Sequence, residues 1–78
     1  GNFYHYQLEG LSILNKENEN LGIVDRVMIT GANDVLVVKP SEDSIDKQER
    51  LIPYVKSLVI EDINMESKII TVVWPGDF

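Results

Sequence analysis

The side chains in this sequence that could carry out acid–base or metal chemistry are a single histidine and a set of carboxylates. Histidine is the usual general base and the commonest metal ligand, so His5 is the first residue to consider. It lies in an aromatic segment near the start of the chain, and no motif around it supplies a nucleophile or an oxyanion site. A catalytic role for His5 is therefore not expected.

The carboxylates are more numerous, but their spacing matches no familiar type of site. Asp43, Asp46 and Glu49 have neither the order of an EF-hand loop nor its central glycine. Glu61 and Asp62 are adjacent at a predicted strand end, where neighbouring side chains point to opposite faces. A glycosidase-type pair would need a cleft, whereas a small barrel fills its interior with side chains. The sequence predicts no enzyme, no metal site and no cofactor.

Aromatic side chains are better candidates for function, as contacts with a partner protein. Phe3, Tyr4 and Tyr6 cluster ahead of the first predicted strand, and Tyr54 follows a short strand later in the chain. Tyrosine is favoured in interfaces because it combines a large apolar ring with a polar tip. We expect these four residues to bind a partner, although packing over the open end of a barrel would explain the first three equally well and Tyr54 could instead cap the core.

Charge and composition limit the class of partner. Thirteen acidic residues against seven basic ones give a net charge of −6, and the basic residues are scattered rather than clustered as phosphate binding requires. A basic protein partner fits this charge, although the charge could also serve only to keep a small domain soluble. The chain has no cysteine, which excludes disulfides and thiolate zinc sites and fits a cytoplasmic location. Its apolar runs are far shorter than the roughly 20 residues that span a bilayer.

These residues lie on a chain whose apolar blocks are short and separated by turn-forming residues, a pattern typical of β-strands. No segment of helical period is long enough for a helix. The sequence therefore predicts an all-β fold, a small barrel of five to six short antiparallel strands in one domain. The spacing alone leaves SH3-like, OB-like and PRC-type barrels open. The predicted strands cover residues 11–14, 21–30, 35–38, 51–52, 58–60 and 69–74.

The connection between the second and third strands carries the clearest local prediction. Gly31, Asn33 and Asp34 are expected to form a tight turn, since Gly and Asn tolerate positive φ and Asp can bond its own backbone. This turn would join the two strands in a hairpin. Residues 35–38 are apolar at every position, which is typical of a central strand buried on both faces.

The second half of the chain has weaker signals. Residues 40–50 are polar around the single Ile45 and are expected to form a mobile loop. Pro53 ends the following short strand because it cannot donate to a ladder. Residues 54–57 should form one helical turn or an irregular crossover. Trp74, in the last apolar block, is predicted to belong to the core.

A series of short motifs runs along the chain in a characteristic order. It begins with Leu21-Gly22 and TGANDVLVV at residues 30–38, and continues with LIPYV at residues 51–55. This series resembles the C-terminal PRC-barrel domain of the RimM family of ribosome maturation factors. Further members of the series are Ile63, Lys68-Ile69 and Trp74-Pro75.

The start of the chain is also similar to that family. Phe3-Tyr4, with Leu8 and Gly10-Leu11 after them, matches the aromatic segment that leads into the family's barrel. The family often has a tryptophan near His5 and an aspartate at the position of Gln7, so the match there is partial. Residues 76–78 are only loosely similar.

The resemblance implies a role and a division of the chain. Residues 1–10 would be an aromatic linker and residues 11–78 a PRC-barrel, as a fragment of a longer two-domain protein. The family binds the free small ribosomal subunit through the ribosomal protein numbered nineteen of its head, and it supports subunit assembly and rRNA processing in the cytoplasm. Phe3 and Tyr4 match the aromatic pair that the family uses in this association. Two other interpretations stay open: a small barrel that binds RNA directly, and a PRC-barrel adaptor like those of photosynthetic reaction-centre subunits.

Overall fold

The computed structural model describes residues 5–74, with side chains from residue 7 onward. The prediction of an all-β fold with up to six short strands is confirmed, although a short helix that the sequence does not predict precedes the strands. Within the described part, no helix is long and apolar enough to cross a membrane. The elements are α1 His5–Leu8, β1 Ser12–Asn15, β2 Asn20–Met28, β3 Val35–Lys39, β4 Arg50–Pro53, β5 Ile60–Asn64 and β6 Ile69–Val72.

All six strands belong to one sheet, in the order β4-β3-β2-β1-β6-β5. The neighbouring strands are antiparallel except for β1 and β6, which run parallel, so the expectation of antiparallel strands throughout is wrong for this pair. The cause is the connection from β4 to β5, which carries the chain from one edge of the sheet to the other without reversing its direction. In this connection the Val55 carbonyl accepts from the N–H groups of Leu58 and Val59, so the turn covers residues 55–59 rather than the predicted 54–57.

The inward face of the sheet forms the hydrophobic core. Leu36 and Val38 of β3 point inward at alternate positions, as strand geometry requires. Tyr54 and Trp74 pack against the core while part of their surface stays exposed. Burial of these apolar side chains is the main stabilising contribution to the fold. The buried members are Leu8, Leu11, Ile13, Leu21, Val24, Leu36, Val38, Ile52, Ile60, Ile70 and Val72.

Strands β2 and β3 form the predicted antiparallel hairpin. The turn itself differs from the prediction, because neither Gly31 nor Asn33 has a positive φ. The connection spans residues 29–34, which is long enough to reverse the chain without a left-handed residue. The Thr30 hydroxyl closes it by donating to the Asn33 carbonyl and accepting from the Ala32 N–H.

Left-handed backbone is needed instead at Gly22, where β2 passes close to β3. Its φ is +129°, and a Cβ atom placed there would overlap the carbonyl oxygen of Lys39. Only glycine satisfies both conditions. A little further along, a register shift between Val24 and Arg26 bends the strand.

A buried asparagine organises the turn between β1 and β2. The Asn15 Oδ1 accepts hydrogen bonds from the backbone N–H groups of Glu17 (3.0 Å) and Glu19 (2.9 Å), and its Nδ2 donates to the Glu19 carboxylate at 2.8 Å. Asn18 takes the left-handed conformation with φ of 63°, which asparagine tolerates better than most residues. The amide of Asn15 is therefore hidden from water with both its oxygen and its nitrogen bonded.

The polar loop between β3 and β4 is fastened at several points. Arg50 begins β4 instead of ending the loop, and only 5% of it is exposed. Its two terminal nitrogens donate to the two carboxylate oxygens of Asp46, at 3.0 and 2.7 Å. The Ile45 N–H donates to the Asn20 carbonyl at 2.8 Å. These bonds attach the loop to β2 and β4, and its mobility stays a prediction.

Candidate partner-binding surface

The outer face of β2, β3 and β4 is apolar although it points away from the core. Val35 and Val37 alternate with the inward residues of β3 and therefore lie outside. Directly opposite them on the neighbouring strands, and so on the same face, are Met28 of β2 and Leu51 and Pro53 of β4. We name these five residues the outer patch.

The outer patch is hidden from solvent at its centre and exposed at its margin. Val37 is only 1% exposed, yet it does not belong to the core cluster. Its partners across the sheet are Arg26 on one side and Leu51 on the other, and Leu51 leaves 53% of its surface exposed. Within residues 5–74, β3 and β4 make extensive contacts only with neighbouring strands of their own sheet. No other helix or strand of the described structure packs extensively over the patch.

Sequence reasoning did not identify the outer patch. The signal was present in residues 35–38, whose unbroken apolar run predicts a strand covered on both faces. In a single-layer barrel only the inner face of such a strand lies against the core. The apolar run therefore also marks an outer surface that no other helix or strand of the described structure packs over extensively. Leu51 carries no such signal, since it lies in a short segment whose orientation depends on its pairing with β3.

The charged residues beside the outer patch are arranged in pairs. Arg26 lies 3.8 Å from Asp25, and Lys39 lies 2.6 Å from Glu49. Exposed pairs of this kind contribute little to stability, but they leave the border of the patch close to neutral. The acidic excess begins beyond them, in the loop that joins β3 to β4.

Tyr54 is the predicted partner-binding residue whose side chain the structure describes. It is half-buried against the core, and its backbone N–H donates to the Asp34 carbonyl at 2.8 Å. Burial, and then the charge of Asp34, raise the pKa of the Tyr54 hydroxyl above its ordinary value. The hydroxyl therefore keeps its proton at neutral pH and can donate a hydrogen bond. Because Tyr54 follows Pro53, it stands at the margin of the outer patch, and its role in binding stays a prediction.

The other predicted aromatic contacts cannot be placed in the same way. Phe3 and Tyr4 lie outside the described residues, and so does the side chain of Tyr6. The backbone of Tyr6 belongs to α1, which is anchored by the fully buried Leu8. Beyond the helix, the Gly10 N–H donates to the Val24 carbonyl at 2.8 Å. The chain just after α1 is thus attached to β2, while contact of Phe3, Tyr4 and Tyr6 with a partner stays a prediction.

Trp74 lines the margin of an open pocket just after β6. The pocket has a volume of ≈ 250 Å³ and is bordered by Lys16, Glu17 and Val73 as well as the indole. Lys16 is engaged with Glu61, at 2.9 Å. The packing of Trp74 against the core agrees with its predicted place, and the pocket contains no pair of groups arranged for acid–base chemistry.

The carboxylates are not brought together into a chemical site. Among residues 5–74, no three His, Cys, Asp or Glu residues are grouped so that they could hold a metal ion. Asp46 is engaged by Arg50, whose hydrogen bond, followed by one from the Gln48 N–H, lowers the pKa of Asp46. Glu61 and Asp62 are both exposed on β5, because a register shift there interrupts the simple alternation expected for them.

Almost the whole chain matches one family of domains. The family is described as the RimM PRC barrel domain, and the match covers residues 5–78. The chain belongs to the RimM PRC-barrel family. The resemblance indicated by the motif series is confirmed, and the six-stranded sheet is the RimM PRC-barrel.

Full-length RimM proteins and a crystal structure give the same result. The chain is 49% identical to the ribosome maturation factor RimM of Pseudomonas fluorescens over 97% of its length, and 49% identical to that of Hahella chejuensis over all of it. It matches the crystal structure of RimM from Pseudomonas aeruginosa, described as a 16S ribosomal RNA processing protein, with a TM-score of 0.93 and 41% identity over 97% of the chain. The chain spans 42–46% of these relatives.

Proposed function

We propose that this domain is a protein-binding module of a ribosome maturation factor, which assists assembly of the small ribosomal subunit and processing of its rRNA in the cytoplasm. The observation that carries the proposal is the RimM PRC-barrel match over residues 5–78, together with relatives named as ribosome maturation factors. The module acts by binding. Its described carboxylates are spread over the surface or engaged by basic residues, so it has no assembled groups for a reaction.

The partner we propose is the ribosomal protein numbered nineteen in the head of the small subunit, met on the free subunit. The net charge of −6 supports a basic protein partner, because opposite fields speed encounter and orient the two surfaces. Phe3, Tyr4, Tyr6 and Tyr54 remain the proposed aromatic contacts. Residues 1–10 are proposed as the linker that carries the first three, and residues 11–78 as the barrel.

The test is a calorimetric titration of the 78-residue chain with that purified ribosomal protein. We expect saturable binding in a one-to-one ratio that weakens as salt is raised, since part of the attraction is electrostatic. A second basic ribosomal protein of similar size serves as the control for non-specific charge attraction. Absence of heat and of NMR shifts at low salt and near-stoichiometric ratios would contradict the proposal.

Direct binding to rRNA is the second candidate, favoured by the description of the Pseudomonas aeruginosa relative as a 16S ribosomal RNA processing protein. Against it, Lys16, Arg26 and Lys39 are each paired with a carboxylate, and Arg50 is buried with Asp46. Phosphate binding would have to break these pairs. Measured affinity for rRNA fragments that falls steeply with salt, by the slope expected for several phosphate contacts, would support this candidate over the first.

A further inference from the structure

Gly10, which lies between α1 and β1, has a left-handed backbone with φ of +87°. At Gly22 the closeness of β3 leaves no room for a side chain, whereas at Gly10 an added Cβ atom would meet no atom within 4 Å. Packing therefore does not explain why this position holds glycine. Its backbone conformation does, because a residue with a Cβ atom adopts a left-handed φ only at a cost.

The chain is fastened to the barrel on both sides of Gly10. Leu8 ends α1 and Leu11 precedes β1, and the two leucines belong to the core, at 0% and 3% exposed. The Gly10 N–H donates to the Val24 carbonyl at 2.8 Å, and the Val24 N–H donates to the Leu11 carbonyl at 2.9 Å. We name residues 8–11 the elbow. The φ of Gly10 sets the direction in which the chain passes through it.

The helix before the elbow depends on this attachment. A helix of four residues is not stable by itself, and within the described part of the chain α1 packs mainly against β2. Without the elbow, residues 5–8 would belong to a flexible connection. With it, they have a set direction relative to the barrel.

We propose that Gly10 is a positioning residue: its left-handed conformation holds α1 in one direction on the barrel and so aims the aromatic contacts at the start of the chain. The inference rests on the proposed function, which assigns Phe3, Tyr4 and Tyr6 to a partner. Tyr6 belongs to α1, and the other two precede it in sequence. Contacts that are organised before binding lose less conformational entropy when the partner arrives.

A purely structural interpretation gives α1 only the task of placing Leu8 in the core. The two interpretations differ in what a strained residue 10 would change. If α1 only completes the core, strain at this position lowers the stability of the barrel, and binding falls only as far as the folded fraction falls. If Gly10 aims the aromatic contacts, binding weakens while the barrel stays folded.

The experiment compares valine with asparagine at position 10. Gly10→Val places a β-branched residue at a left-handed φ, which such residues rarely adopt, whereas Gly10→Asn introduces a residue that tolerates it. Gly31→Val is the matched control, because Gly31 also has open space around it but no positive φ. Urea titration of each variant gives its folded fraction.

NMR relaxation examines the elbow without a partner. In the natural chain the backbone amides of residues 5–8 should be as rigid as those of β3, with order parameters of about 0.85. In Gly10→Val they should fall below about 0.6 while β3 is unchanged. Gly10→Asn and Gly31→Val should keep the natural values. Rigid amides in Gly10→Val, or flexible ones in the natural chain, would overturn the inference.

Titration with the purified ribosomal protein numbered nineteen connects the elbow to binding. We expect Gly10→Val to bind about tenfold more weakly, because the aromatic side chains would then have to be ordered by the partner. Gly10→Asn and Gly31→Val should each weaken binding by less than about twofold. Affinities are compared after correction for the folded fraction, so that a loss of stability alone does not count as a loss of binding.

The outcomes separate this inference from the proposed function. If the natural chain binds and Gly10→Val binds equally well, Gly10 does not position the contacts, while the proposed function stands. If the natural chain fails to bind, both are wrong. If Gly10→Val does not fold, Gly10→Ala takes its place with a smaller side chain at the same φ. Loss of folding in that variant as well would make Gly10 a structural residue of the barrel and overturn its positioning role.

Discussion

Val37 and Val38 are neighbours in sequence and almost equally hidden, at 1% and 0% exposed, yet they lie in two different regions of the molecule. Val38 points into the barrel and joins the core cluster. Val37 points out, into the outer patch, between Arg26 and Leu51 of the neighbouring strands. Low exposure therefore does not by itself identify a core residue, because an apolar side chain can also be hidden by its neighbours on a surface.

The two faces of the sheet differ in what covers their apolar side chains. On the inner face the side chains are buried by the fold itself, since strands from all parts of the chain contribute to the core. On the outer face Val37 is hidden from solvent, whereas Leu51 is half exposed. In a single-layer sheet, apolar residues on the outside add little to folding unless something else covers them. Substitutions on the inner face should act on stability, and those on the outer face should act on binding.

The largest expected effect comes from Gly22, where β2 passes close to β3. The pairing of these two strands contributes to both faces of the sheet. In Gly22→Ala the new Cβ would overlap the Lys39 carbonyl at a φ of +129°, so we expect a loss of about 3 kcal/mol in the free energy of unfolding. Urea titration measures it, and loss of a cooperative transition is the same result in a domain this small. Gly31→Ala is the control, since its Cβ meets no atom within 4 Å and should change stability by less than about 0.5 kcal/mol.

Val38→Thr and Val37→Thr compare the two faces directly with the same change of shape. In the core the added hydroxyl is buried among apolar side chains, and we expect a loss of about 2 kcal/mol. On the outer face it lies between Arg26 and the half-exposed Leu51, and the loss should stay below about 1 kcal/mol. Urea titrations of the two variants give the difference. Equal losses would mean that something covers the outer patch as completely as the fold covers the core.

Two asparagines, one buried and one exposed, allow the same comparison for polar side chains. Asn15→Ala leaves the partly buried N–H groups of Glu17 and Glu19 without their acceptor, which should lower stability by about 1 kcal/mol. Asn64 makes a similar bond to the Ser67 N–H at 3.0 Å, but in an exposed turn. Asn64→Ala should have less than half the effect, because water replaces the lost bond. A thermal unfolding series with both variants would detect the difference, and a reversed order would contradict it.

Much of this fold follows from local sequence, and the parts that do not are those that depend on distant partners. The apolar blocks around residues 13, 24 and 36 predict strands because alternation and β-branched residues act within a few positions. The parallel pairing of β1 with β6 depends on how the chain crosses from β4 to β5, which no local pattern encodes. The turn at residues 29–34 contains the residues of a tight turn but is long enough to avoid one.

The candidate site was less predictable than the fold for the same reason. Arg50 looks like any other charge of the polar loop in sequence, and only the fold shows that it is buried and bonded to Asp46. Val37 and Leu51 become one surface through the pairing of β3 with β4. Phe3 and Tyr4, by contrast, were predicted from residue type and family resemblance, and they stay predictions.

The smallest effect we predict concerns pH, and it tests whether the Arg50–Asp46 bond holds the loop between β3 and β4. Arg50 first, and then the Gln48 N–H, hold the pKa of Asp46 below its ordinary value of 3.8. A carboxyl whose pKa is lowered by folding contributes stability above its unfolded pKa and loses that contribution as pH falls through its folded pKa. Asp46→Asn should therefore be less stable than the natural chain at pH 7, and the difference should shrink toward pH 3.

Thermal unfolding of the two proteins at a series of pH values measures this change. Glu66→Gln is the matched control, because Glu66 lies in an exposed turn away from the loop, and its difference from the natural chain should stay small at every pH. A constant gap between Asp46→Asn and the natural chain would mean that charge on Asp46 is not what fastens the loop.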